Sequence, residues 1–479
     1  MAQNALLIER RKLLHERAGL ALESMFAGQL DDHLDELAHH YSRSDNVAKA
    51  VEYLGRAGQQ ALQRSAYSDA INRLTGAIDR LQGQPDIPER AQRELLLQLA
   101  LGTTLIAVKG FAAPEAEHAY IRARELCGRL GDPPELFPAL FGLWAVHLVR
   151  GALRTAHELA EQLLRRMQEI DDPAQLLYTR SALGNTSFWI GEFRSAKEHL
   201  EEGISIYDPE QHRPLSFLYG FDAGVNCLSY AAWTLWHLGY PDQALKRGNE
   251  ALVLAQGLLH PYSLAWAGFF VGIVHQYRRE ARAAQETAES VIAVCAEHGL
   301  TDFLAFATAL RGWAMAAQGR NEDGIAQLQE GLAALRTSGT ELARPHNLCM
   351  LSEACREGGH LDDALSALNE ALAAANEHED RHHEAEIHRL KGELLLKQND
   401  SNAAEAKNCF ERAIGIAGRQ SAKSHELRAT MSLARLLAKQ GCRDEARTML
   451  AEIYGWFTEG FDTADLIDAK ALLKELLTQ

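Results

Sequence analysis

The sequence predicts an all-α fold, an α-solenoid of stacked helix pairs. Three observations carry that prediction: a marker that returns about every 40 residues, glycines at a fixed distance before it, and apolar residues with helical but not strand spacing. The marker is a small residue, mostly alanine, in a context of an acidic or polar residue before and a large apolar residue four positions later. It recurs at Ala116, Ala156, Ala196, Ala244, Ala284, Gly324, Ala364, Ala406 and Ala446, with gaps of 40, 40, 48, 40, 40, 40, 42 and 40.

Each element of the repeat follows from local chemistry. Four residues after the marker come Tyr120, Leu200, Leu328, Leu368, Phe410 and Leu450, and seven after it Ala123, Ala251, Ala371 and Ala413, which places them on one helix face. Five residues before it stand Gly151, Gly191, Gly239, Gly319, Gly359 and Gly441, where a preceding helix ends and the chain reverses. Phe111, Arg279 and Ser401 occupy that place in other repeats. Upstream lies a second amphipathic stretch with a small residue at its centre (Gly184, Ala232, Gly272, Gly312, Gly392), which lets two helices approach closely. Prolines fall at helix starts, as in Asp172-Pro173 and Tyr240-Pro241.

HEAT and armadillo arrays share a period near 40, but a helix with a small central residue, then Gly, then Ala, large, Ala is the tetratricopeptide pattern. The expected architecture is about eleven tetratricopeptide-like helix-turn-helix repeats. A capping helix or the end of an upstream domain covers 1–29, irregular repeats cover 30–110, regular repeats 111–460, and a C-terminal capping helix 461–479.

The chain has 479 residues, is 47% hydrophobic and 24% charged, and carries a formal net charge of -16, a field that repels phosphate backbones and anionic lipid. Neither nucleic acid nor membrane is expected as a partner. Seven scattered cysteines without a Cys-x-x-Cys pair read as reduced thiols, and no signal-peptide stretch opens the chain, so a cytoplasmic location is expected.

Several segments carry a more specific signal: Glu36-Leu-Ala-His-His-Tyr41, Tyr53-Leu-Gly-Arg-Ala-Gly58, Leu99-Ala-Leu-Gly102 and, above all, Tyr207-Asp-Pro-Glu-Gln-His-Arg213 with Trp233-Thr-Leu-Trp236 and Leu238-Gly-Tyr-Pro-Asp-Gln-Ala244. On these the chain resembles the C-terminal repeat region of bacterial signalling proteins in which a class III nucleotide cyclase and a STAND-type ATPase precede tetratricopeptide-like repeats. The resemblance implies a sensor region that binds a ligand or partner and controls the ATPase or cyclase. The chain contains no G-x-x-x-x-G-K-[ST], so neither ATP binding nor cyclase activity is expected of it. No cofactor, metal or catalytic residue is expected either, which makes the reading a non-enzymatic module for a protein, peptide or small-molecule signal. The alternative is an assembly scaffold without a small ligand.

The candidate ligand groove is aromatic. Six of seven tryptophans, Trp144, Trp189, Trp233, Trp236, Trp266 and Trp313, fall in consecutive first helices. The repeat register turns Tyr178, Asn185, Phe188, Trp189, Trp233, Trp236, His237, Trp266, Tyr277 and Trp313 to the concave side, and the eight-residue excess before Ala244 adds Tyr207 and Arg213. Rigid rings there would suit a ligand or fill the gaps between helices. Farther along, the same face carries His346, Glu353, Arg356, Glu357, Arg389, Glu393, Lys397, Arg435 and Lys439, a mixture that reads as a solvated face. His378, His382, His383 and His388 miss the zincin spacing and read as a polar, solvated turn.

Overall fold

A computed structural model describes residues 2–64, 66–167 and 172–477. The chain is an α-solenoid of tetratricopeptide-like helix pairs, with no strand among the described residues. No helix among them is long and apolar enough to cross a membrane. Two compact units can be separated, residues 1–146 with 217–220 and residues 147–216 with 221–479.

In the first unit the N-terminal helix Ala2–Met25 is followed by Leu34–Tyr41, Val47–Gln63, Tyr67–Gln82, Pro88–Lys109 and Pro114–Leu130. Tyr41 and Tyr53 stack with ring centroids 5.3 Å apart, over a core of Leu34, Leu37, Ala38, Ala50 and Ala57. The Glu36–Tyr41 segment therefore supplies packing residues. Phe137 and Phe141 meet Tyr219 edge-on at 6.0 and 5.2 Å, which accounts for one aromatic of the excess segment.

In the second unit the markers from Ala196 onward lie in second helices that pack against their first, as in Pro173–Trp189 with Phe193–Ile206 and Thr301–Ala317 with Asn321–Ser338. Close approach requires the small central residues. A Cβ on Gly312 would sit 2.7 Å from the backbone oxygen of Gly324, and one on Gly184 2.6 Å from Leu200. The six turn glycines all have positive φ, from 73° to 92°. Arg279 takes the same left-handed conformation without glycine (φ 63°), and Ser401 lies in a 3₁₀ turn, Asp400–Asn402. Asp172 caps its helix by accepting from the amides of Ala174 and Gln175 at 2.9 and 3.1 Å.

The period alone does not reveal that this unit winds back onto itself. The amides of Glu341 and Leu342 donate to the Val149 carbonyl at 3.1 and 3.0 Å, and those of Arg381 and His382 to Trp189 at 2.9 and 3.2 Å. Ser424 Oγ donates to the Trp236 carbonyl at 2.5 Å. Carbonyls at helix C-termini lack intrahelical partners, and here the next turn of the array satisfies them.

Candidate functional site

Successive first helices present equivalent positions to the interior of the second unit. Eleven residues before each second-helix marker stand Asn185, Trp233, Ile273, Trp313 and Glu353, with Glu393 forty residues beyond Glu353. Along this series the chemistry changes from uncharged to charged, and the local structure changes with it.

Over residues 178–277 the interior is filled by packed rings. Trp233 stacks on Phe270 at 3.8 Å between centroids and donates Nε1–H to the Phe270 carbonyl at 2.9 Å. Trp236 stacks on Tyr277 at 4.4 Å, and Trp189 donates to the Tyr230 hydroxyl at 2.9 Å. The Tyr178 hydroxyl donates to the Phe221 carbonyl at 3.2 Å, and Trp266 stacks on Phe270. Tyr178, Asn185, Phe188, Trp189, Trp233, Trp236, His237, Trp266, Tyr277 and Trp313 are all buried. Their rings face one another, as gap-filling side chains do. Tyr207 is half-buried and donates to Asp222 Oδ2 at 2.9 Å, while Arg213 is exposed.

The solvated reading of the 378–388 histidines needs correction. His382, His383 and His388 are buried, and for the first two the return of the chain, which sets the Arg381–His382 backbone on Trp189, is the reason. His237, His346, His382, His383 and His425 form one cluster of rings. Burial pushes the His346 pKa down to about 3 and those of His237, His383 and His425 well below the usual imidazole value, so these rings are neutral at pH 7.

Beyond Tyr277 the interior opens into a polar cavity of about 650 Å³. Its walls come from the first helices Thr301–Ala317, Arg344–Gly358, Glu384–Gln398 and Lys423–Lys439, closed by the terminal helix Ala464–Leu477. Of the aromatic series only Trp313 reaches it, with Nε1 donating to Glu353 Oε2 at 3.1 Å.

The charged lining is organised as a network. Arg389 grips Glu386 with two hydrogen bonds, 2.8 and 2.7 Å, and donates to Glu393 at 2.5 Å. Arg356 reaches the other Glu393 oxygen at 2.6 Å, and Ser432 Oγ donates to Glu393 at 2.8 Å. Arg428 bonds Asp465 at 2.7 Å and the Tyr277 carbonyl at 2.6 Å, with its guanidinium 4.8 Å over the Trp236 ring. Arg279 joins Asp468 at 2.7 Å.

Burial alone would raise the Glu386 pKa, but Arg389, Arg428 and Arg356 reverse that and hold it down at about 2. For Glu353 burial wins, and its pKa is raised. Arg279, Arg356, Arg389 and Arg428 are all ion-paired, whereas Arg435, exposed at the cavity, makes no ion pair to a described residue. The arrangement offers a prearranged set of both charges around one open guanidinium, suited to hold a ligand carrying a carboxylate.

Glu353, Arg356, Glu357, Arg389, Glu393 and Arg435 were legible as a charged face, but their convergence on a cavity was not. Glu386, Arg428, Asp465 and Asp468 were missed. The one available signal was the i, i+3, i+7 spacing of Glu386, Arg389 and Glu393 on a single helix.

No family model matches the chain. Uncharacterized protein R02095 of Rhizobium meliloti (strain 1021) is 27% identical over 439 residues, 90% of this chain and 42% of that protein. The chain thus spans less than half the length of that relative. Among solved structures, a Rap protein complexed with competence and sporulation factor superposes with a TM-score of 0.54 at 14% identity, covering 81% of this chain and 99% of the other. The apo quorum sensor NprR from B. thuringiensis gives 0.46 at 13% identity, covering 77% and 99%. The first of these likenesses supports the fold.

Proposed function

We propose that the chain is a recognition module whose polar cavity binds a peptide or protein segment and reports its presence to a signalling ATPase or nucleotide cyclase. The observation that carries the reading is Arg435, a guanidinium with no ion pair to a described residue, beside a cavity in which four other arginines are already held by carboxylates. A ligand carboxylate would complete the set without first breaking an ion pair. The balance of charges also favours a zwitterionic segment over a polyanion, consistent with a protein or peptide partner and not with nucleic acid or membrane.

The solved structure of similar fold holds a bound factor, and the longer relative leaves room for further domains; both support a sensor that works within or beside a larger protein. A cytoplasmic setting belongs to the same reading, with Trp313 as the aromatic contact and the buried rings from Tyr178 to Tyr277 as the frame. The test is to pan a random peptide library on the purified chain and measure affinities of the enriched peptides. Arg435→Ala should weaken them at least tenfold with an unchanged thermal midpoint. Enriched peptides that bind the variant equally well would place recognition elsewhere.

A further inference from the structure

Outside the cavity, three imidazoles converge. His237 ends the helix Ala223–His237, His383 precedes Glu384–Gln398, and His425 lies in the first turn of Lys423–Lys439. Each offers a nitrogen within 4.8 Å of the other two, and all three residues are at most 3% exposed.

Hydrogen bonding leaves at least one nitrogen of each of the three rings free. His237 Nδ1 lies 2.9 Å from the Trp233 carbonyl oxygen, which can only accept; the ring proton therefore sits on Nδ1, and Nε2 keeps its lone pair. His237 Nε2, His383 Nδ1 and both nitrogens of His425 have no hydrogen-bond partner. A buried polar atom left without a partner is destabilising. Several orphans in one place call for an occupant that accepts lone pairs.

We propose that His237, His383 and His425 form a binding site for one divalent transition-metal ion of the zinc class. Three imidazoles suit zinc and its neighbours, while the absence of an oxygen ligand from the trio disfavours magnesium and calcium. Zinc–nitrogen bonds of about 2.0–2.1 Å would require each ring to advance by roughly 0.7 Å from a 4.8 Å triangle, a side-chain adjustment. The Nδ1–H bond from His237 to a backbone carbonyl is the usual support of a metal-bound imidazole.

Negative charge is at hand. Asp380, 1% exposed, holds His382 Nδ1 at 2.5 Å and keeps Oδ2 without a partner, and His382 packs against His383 with ring centroids 5.4 Å apart. The ligands come from three repeats up to 188 residues apart, and Arg428, which lines the cavity, lies one turn beyond His425. A bound ion would staple the return of the array and hold that wall of the cavity in place.

The experiment uses the full, untagged chain, stripped with chelator, dialysed and titrated with zinc chloride. The expected result is one equivalent bound and a thermal midpoint raised by roughly 2 °C or more at a hundredfold excess over Kd. His425→Phe keeps the ring volume and should retain the helical spectrum, while zinc affinity falls at least a hundredfold and the zinc-induced shift disappears. His388→Gln, at a buried histidine outside the trio, should leave uptake intact. Should His425→Phe fail to fold, His237→Gln serves in the same titration. A folded wild-type chain that takes up no zinc, or a folded trio variant that takes it up as wild type does, would overturn the proposal.

Discussion

Residues 178–277 and 313–468 of the second unit build the same interior from equivalent faces of the same repeat, with opposite results. Where Trp233 stands, rings interlock; where Glu353 and Glu393 stand in the equivalent register, carboxylates and guanidiniums hold one another around a cavity of about 650 Å³. Fully burying charge is costly, so such helices close only as far as their ion pairs can be satisfied. Solenoid geometry provides the concave surface, and the side chain at one register position decides whether it becomes core or site.

The largest effect should come from breaking the ring-packed half. Trp233→Ala should cost about 3–5 kcal/mol in denaturant unfolding, since the ring is almost fully buried. Loss of less than about 1 kcal/mol would mean that the rings are not core. Next comes Glu386→Gln, which leaves Arg389 without its bidentate partner and should cost about 2–4 kcal/mol at pH 7. The sign of its pH dependence follows from a folded pKa of about 2 below the ordinary 4.5: the contribution is present above pH 4.5 and is lost as pH falls towards 2. The wild-type minus variant difference should shrink over that window, and a difference constant with pH would contradict the assignment.

A smaller effect is expected at His260, whose burial lowers its pKa to about 4 from 6.5. The unfolded chain binds the proton first, so this group destabilises as pH falls from 6.5 to 4 and contributes nothing unfavourable above that range. His260→Gln should flatten the stability profile there by roughly 1–3 kcal/mol; an unchanged slope would show that the ring is not protonated on unfolding. Smallest on stability is Arg435→Ala, within about 0.5 kcal/mol because the side chain is exposed and unpaired. A larger loss would reveal a structural role and weaken the recognition reading.

The repeat was legible because each unit writes its own local rules: Gly239 and Gly319 at left-handed turns, Gly184 and Gly312 at helix crossings, Ala244 and Ala284 on second helices. The inward register was legible for the same reason, which is why the charged residues from Glu353 to Arg435 were already grouped. What the local rules do not contain is the return of the chain. The contact of Trp189 with Arg381 and His382 arises from small rotations accumulated over several repeats. Hence His382 and His383, polar and close to a turn in sequence, read as solvated, although they lie in the interior. The same accumulation brings Asp465 and Asp468 to Arg428 and Arg279, which no sequence spacing announces.

Exchanging the charge at Arg435 tests most directly whether the polar half is the site. Peptides selected on the wild-type chain should share a carboxylate at a fixed position, and selection on Arg435→Glu should replace it with lysine or arginine. Selections that do not change with this reversal would contradict the assignment of recognition to the cavity.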